Sequence, residues 1–161
     1  MLSRGRFRMY IDELEKTYNL CISSGNVKEK HPDIELIKSI KKVAERGLEF
    51  IKDKAKNIAK ESDEWTFVFR DYYESLRGLI EAYLLIEGIT ADSHQCKNAY
   101  LCYNHDELNL SWEFLETIRL KRNAINYRGQ FIRYDDWQKL RLNFELHINA
   151  MKEEIENYLK H

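Results

Sequence analysis

The sequence predicts an all-α protein, an up-and-down bundle of four long helices with one or two short ones. Apolar side chains recur at spacings of three and four over long stretches, which is the period of a helix face. One proline and six glycines interrupt 161 residues, whereas a sandwich or barrel needs turn residues every eight to twelve positions or so. The polar breaks between the periodic stretches are short, which favours antiparallel neighbours. The stripes drift from a strict seven-residue repeat, so a lasting coiled coil is not expected.

The first helix is predicted from about Arg6 to Cys21, on Phe7, Tyr10, Ile11, Leu14 and Tyr18, and Ser23-Ser24-Gly25-Asn26 ends it. His31-Pro32-Asp33 opens a second helix whose stripe runs Ile34, Ile37, Ile40, Ala44, Leu48, Ile51, Ala55 and Ile58. Ser62 or Asp63 is placed to cap a third, Trp65 to Ile86. That segment is apolar and aromatic-rich, so it is expected at the centre. Because Tyr72 and Tyr73 are neighbours, only one is expected to face inward, leaving the other for an interface. Gly88 is a stop, and Ser93 caps a short fourth helix to about Tyr103. A fifth runs from about Leu108 to Tyr127, burying Trp112, Leu115, Ile118 and Ile125, with Gly129 behind it. The sixth spans about Tyr134 to Leu159.

The length suits one folding unit over residues 1–161 with a core large enough to need neither disulfides nor metal. At 43% hydrophobic and 33% charged the chain is too apolar for disorder. Net charge is −1, so attraction to nucleic acid must come from a local patch. Cys21, Cys96 and Cys102 are odd in number and form no CxxC pair, which predicts buried thiols in a reducing cytoplasm. The basic residues near the N-terminus have no apolar run behind them, and no stretch of 18 apolar residues occurs, so secretion and membrane association are not expected. There is no HExxH, no paired ExxH, no Gly-rich phosphate loop and no GxSxG elbow, hence no metal or cofactor is expected.

One segment stands out. From Arg119 to Arg133 the chain carries Arg119, Lys121, Arg122, Arg128 and Arg133 with no acidic residue between them. Helical spacing brings Arg119, Arg122, Asn123 and Asn126 near one another on a polar face while Ile118 and Ile125 turn inward. Guanidinium and amide donors so placed suit phosphate oxygens, and Asn can also read a base edge. Basic residues alone would be a solvated helix end complementing the macrodipole. The two asparagines shift the reading, because Asn is a poor helix former.

Arg122-Asn123-Ala124-Ile125-Asn126-Tyr127 resembles the C-terminal signature of the higher-eukaryote and prokaryote nucleotide-binding (HEPN) domains. The aromatic stretch Phe69 to Leu85 resembles that family's central helix. Glu87-Gly88-Ile89 followed by Asp92-Ser93-His94 resembles the end of that helix and the Ser-His start of the next. The resemblance covers about residues 65 to 127. It implies a helical bundle, often a homodimer, commonly paired with a minimal nucleotidyltransferase in a toxin-antitoxin-like module. It also implies, for many members, a metal-independent ribonuclease built on Arg, four to six residues, then His. Imidazole would take the 2′-hydroxyl proton and guanidinium would stabilise the phosphorane. This chain keeps Arg122 but has Tyr127 where the histidine would stand, and a phenol is a far weaker base at neutral pH.

The resemblance therefore implies a role in binding RNA or nucleotide, with Arg122, Asn123 and Tyr127 at the reacting centre. Arg119, Lys121, Asn126, Arg128 and His94 would contact the ligand, and Asp71 would orient Arg122 across the bundle. Tyr127 would also be a hydroxyl that the partner could nucleotidylate. An endoribonuclease toxin acting as a dimer is the alternative, with His94 or His105 supplying the imidazole. A non-catalytic helical interaction module is the third reading.

Overall fold

The computed structural model describes residues 4–161 and is an all-α bundle. Its helices are α1 (Arg4–Ser23), α2 (Ile34–Ala55), α3 (Trp65–Ile86), α4 (His94–Asn104), α5 (Trp112–Arg128) and α6 (Tyr134–Lys160). Two three-residue strands, β1 (Val27–Glu29) and β2 (Ile89–Ala91), pair antiparallel, Lys28 opposite Thr90. The sequence reading did not include this pairing, since three residues are too few to show an alternating pattern. Among the described residues no helix is long and apolar enough to cross a membrane.

Capping chemistry fixes most helix starts. Asp33 accepts a bond from Leu36 N–H, Ser93 from Cys96 N–H and Ser111 from Phe114 N–H, each satisfying a first-turn donor. Helix α3 is the exception, for its cap position is Glu64 and makes no side-chain bond, although Ser62 Oγ accepts from Glu64 N–H at 3.1 Å. The fifth helix begins at Trp112, because Asp106–Leu108 forms a 3-10 turn closed by Asn109 at φ 52°. Gly88, at φ 74°, turns the chain from α3 into β2 and exposes its carbonyl to Lys30 N–H at 2.8 Å.

Helix α3 occupies the centre, packed against α2 and α6 and touching α4 and α5. Phe69, Phe114 and Phe144, from α3, α5 and α6, meet edge to face with centroids 5.2 to 5.7 Å apart. Tyr72 and Tyr73 are both buried, at 3% and 4% exposure, contrary to the expectation that one would face outward. A helix enclosed by neighbours on several sides has an inward arc wide enough for two adjacent residues. His147, isolated in sequence, is also structural: its Nε2 accepts from Ser111 N–H at 2.9 Å at the start of α5, and its Nδ1 meets the Asn143 carbonyl at 2.7 Å.

Helix α1 lies at the periphery, packed chiefly on α4, with Tyr18 stacked on Tyr103 at 3.9 Å. The cysteine expectation is corrected here. Cys21 and Cys96 form a disulfide joining the end of α1 to the first turn of α4, and only Cys102 is a free, buried thiol. The pair is 75 residues apart in sequence, and no local spacing signals it. The β1–β2 ladder brings the two segments together.

Candidate functional site

The site sits where α3, α4 and α5 converge. Helix α5 ends in a left-handed glycine turn: Gly129 is at φ 63°, and the N–H groups of Gly129 and Gln130 bond back to the carbonyls of Ile125 and Ala124, each at 3.2 Å. Antiparallel to it runs α3, held at this end by Thr66, whose Oγ1 accepts from Ile132 N–H at 2.9 Å. That lock sets Arg122 against the middle of α3.

The predicted residues divide into three groups. Arg119 is taken up within its own helix, its Nε and terminal nitrogen on the two oxygens of Glu116 at 2.9 and 2.7 Å. Glu116 is 9% exposed and also accepts from Gln95 at 3.1 Å. These bonds leave Arg119 in a structural tie between α4 and α5 rather than in the ligand-facing set expected for it.

Arg122 forms the second group. Its guanidinium lies 5.8 Å from the Tyr73 ring centroid and reaches Glu74 at 3.3 Å. Glu74 is shared, since Arg77 also holds it at 2.9 Å. The Nε of Arg122 is buried and has no hydrogen-bond partner among the described residues. The carboxylate that meets Arg122 is thus Glu74, not Asp71. Asp71 lines a groove of about 320 Å³ between α2 and α3, among Ile40, Val43, Gly47 and Gly78. Burial there pushes its carboxyl pKa up, against the pull of Arg70.

Asn126, Tyr127 and Arg128 form the third group and face solvent, Tyr127 at 80% exposure, with Lys121 and Asn123 half-buried beside them. None of the five side chains has a hydrogen bond or ion pair among the described residues.

His94, the first residue of α4, enters from the other side of the convergence. It lines a narrow recess together with Tyr73, Arg77, Lys97 and Asn98. Burial lowers its pKa to about 4, helped by the nearby charges of Arg77, Lys97 and Arg122. The ring is therefore neutral at physiological pH. Lys97 pairs with Glu81 across α3 and α4. The sequence reading missed Arg77, Lys97, Asn98 and Glu74 as site residues. Their signal was present as helical spacing: Glu74, Arg77 and Glu81 share one face of α3, and His94, Lys97 and Asn98 share one face of α4. His105 does not join them, because its ring is held between Glu87 and Glu107 at the far end of α3.

Among the described residues no group of three or more His, Cys, Asp or Glu side chains is arranged to hold a metal ion. The chain matches no family profile, no curated protein and no solved structure.

Proposed function

We propose that the protein is a HEPN-like partner of a minimal nucleotidyltransferase in a toxin-antitoxin-like module, working as a homodimer in the cytoplasm and binding RNA or nucleotide. The observation that carries this reading is the state of Arg122. Its carboxylate partner is shared with Arg77 and its Nε is buried without one, so the guanidinium keeps donors for an incoming oxyanion. Lys121, Asn126 and Arg128 extend the donors outward, and neither cation is in an ion pair among the described residues. Tyr127 suits the role of modification acceptor: its exposed Oη could attack the α-phosphorus of a nucleoside triphosphate held by the partner, losing its proton and releasing pyrophosphate. In a reducing cytoplasm the Cys21–Cys96 bond would be the oxidised state of a pair whose Cα atoms stand 5.7 Å apart.

The test is retardation of labelled single-stranded RNA over a salt series. Binding should weaken as salt rises, and replacing Lys121 and Arg128 by Gln should flatten the dependence by about one counterion per lost contact. An absence of salt-sensitive RNA or nucleotide binding by the intact protein would remove the reading.

The endoribonuclease reading is favoured by a separate observation, namely that His94 lies in the field of Arg122 with no hydrogen-bond partner on its ring among the described residues. An imidazole so placed could take the proton from a 2′-hydroxyl that attacks the adjacent phosphorus, yielding a 2′,3′-cyclic phosphate and a 5′-hydroxyl. Cleavage lost in both Arg122→Ala and His94→Ala would select it.

A further inference from the structure

We infer that the recess between α3 and α4 is a receptor for a single phosphate group, in which one phosphate oxygen enters between Asn98 and Tyr73 and a proton is taken up on His94 as the anion binds. The inference rests on the proposed nucleotide or RNA binding and adds to it Tyr73, Lys97 and Asn98, which the sequence alone did not place in the site.

Unsatisfied polar groups are the first argument. Asn98 is 7% exposed and lines the recess, yet its amide has no hydrogen-bond partner among the described residues. The hydroxyl of Tyr73, a residue 4% exposed, and the ring nitrogens of His94 are likewise without one. Of these groups and the nearby Arg122 Nε, only Arg122 Nε is fully buried without a partner; the Asn98 amide, the Tyr73 hydroxyl and the His94 ring belong to residues lining the recess and keep polar atoms that an entering oxygen can meet. An oxygen that supplies the missing partner is favoured at such a place.

Size is the second argument. The recess measures about 10 Å³, room for one oxygen-sized atom and no more. A base or ribose cannot enter, whereas a tetrahedral oxyanion can insert one oxygen and leave the rest at the mouth, where Arg77 and Lys97 stand.

Charge is the third. Arg77, Lys97 and Arg122 contribute three positive charges, and their partners Glu74 and Glu81 contribute two negative ones. With His94 neutral the cluster has one net positive charge, one short of matching a phosphate monoester, which is close to dianionic at neutral pH. A proton on His94 supplies the balance. Burial first, and then the three cations, hold the imidazole neutral; a bound anion offsets the cations and raises the pKa of His94, so by linkage the anion binds more tightly as pH falls through that raised value, until the phosphate itself protonates near about pH 6.

The experiment follows the five histidine C2–H resonances of the intact protein by NMR from pH 4 to 8, without and with inorganic phosphate or AMP, His94→Ala providing the assignment. The expected result is a His94 midpoint that moves up from about 4 by at least two pH units with either probe while the other four stay put. Asn98→Leu, which fills the recess, should weaken AMP binding at least tenfold. Comparing 5′-phosphorylated with 5′-hydroxyl RNA then separates the source of the phosphate: at least tenfold preference marks a chain end, equal affinity marks the backbone, and both retain the single-phosphate receptor. If RNA binds in a salt-sensitive way but His94 does not move and Asn98→Leu binds like the parent, the receptor is overturned and the RNA-binding proposal stands. Loss of all anion and RNA binding in the parent protein overturns both.

Discussion

Removing the Cys21–Cys96 bond should cost several kcal/mol, and the amount follows from where the bond sits in the chain. The linked residues are 75 apart. In the chain-entropy account, closing a loop of that size removes about 15 cal/mol/K from the unfolded ensemble, or roughly 4.5 kcal/mol at 25 °C. Two features act on the folded side. Both cysteines are 4% exposed in a small cluster with Ala91 and Val27, so Cys→Ala at both positions loses two sulfur atoms but buries no new polar group. The β1–β2 ladder and the Lys28–Asp92 ion pair at 2.8 Å join the same two segments without the bond, so the fold should survive its loss. For a chain of this length about 1 kcal/mol corresponds to 2–4 °C, which predicts a Tm lower by roughly 9 to 18 °C in the double variant. The parent treated with a dithiol reductant should fall by a similar amount. Thiol alkylation in denaturant checks the premise: one group per chain should react before reduction and three after it. Three reactive thiols in the unreduced protein, or a Tm moved by under about 2 °C by reductant, would refute the argument. Cys102 is not a competing partner, since burial pushes its thiol pKa up to about 12.

The His105 latch gives a pH dependence whose sign can be worked out. Burial alone would lower the His105 pKa, but hydrogen bonds donated by its ring to Glu107 at 2.8 Å and Glu87 at 2.9 Å overcome it and raise the net value. Carboxylates only accept, so a bond at each ring nitrogen requires the imidazolium, which the edge of Tyr83 also flanks. The stabilisation is full below the ordinary histidine pKa near 6.5 and disappears as pH rises through the raised one. The same bond lowers the Glu107 pKa, so the latch also fails once acid protonates that carboxylate. Urea unfolding should show His105→Gln about 1 to 3 kcal/mol less stable at pH 6 and converging on the parent by pH 9; a gap independent of pH would disprove the latch. Glu74→Gln removes the carboxylate shared by Arg77 and Arg122. With one negative charge gone from the cluster, RNA affinity at about 0.1 M salt should rise several-fold, and an unchanged or weaker affinity would show that Arg122 does not face the ligand.

The fold was legible where local chemistry decides it. The caps Asp33 and Ser93 and the stops Gly88 and Gly129 all act at their expected positions, because a side-chain oxygen or a positive φ is a property of a few consecutive residues. Pairings between distant segments were not legible. Nothing near Cys21 distinguishes Cys96 from Cys102 as its partner. Asp71 and Glu74 are one turn apart on α3, and the register between α3 and α5, set by Thr66 and Ile132, decides which one meets Arg122. The site was half legible for the same reason. The α5 segment carries a recognisable run of residues, whereas Arg77, Lys97 and Asn98 gain meaning only when α3 and α4 are brought together.

Helix geometry also constrains how the Arg122–Tyr127 segment can work. Five residues at about 100° each place Tyr127 roughly 140° around α5 from Arg122 and about 7.5 Å along it. Arg122 accordingly turns into the bundle towards Glu74 and Tyr73, while Tyr127 stands out in solvent at 80% exposure. Within one chain the two cannot grip the same phosphate, so a histidine at position 127 would not complete a site with Arg122 in one protomer either. Such a pair could close only around a ligand lying between two copies. The role proposed for Tyr127 is free of that constraint, since a modification acceptor need only be reached from outside. An imidazole for Arg122 has to come from another helix, and of the five histidines His94 is the one within its electrostatic reach. Tyr127 and His94 thus stand apart, one on the outer face of α5 and one at the inner recess.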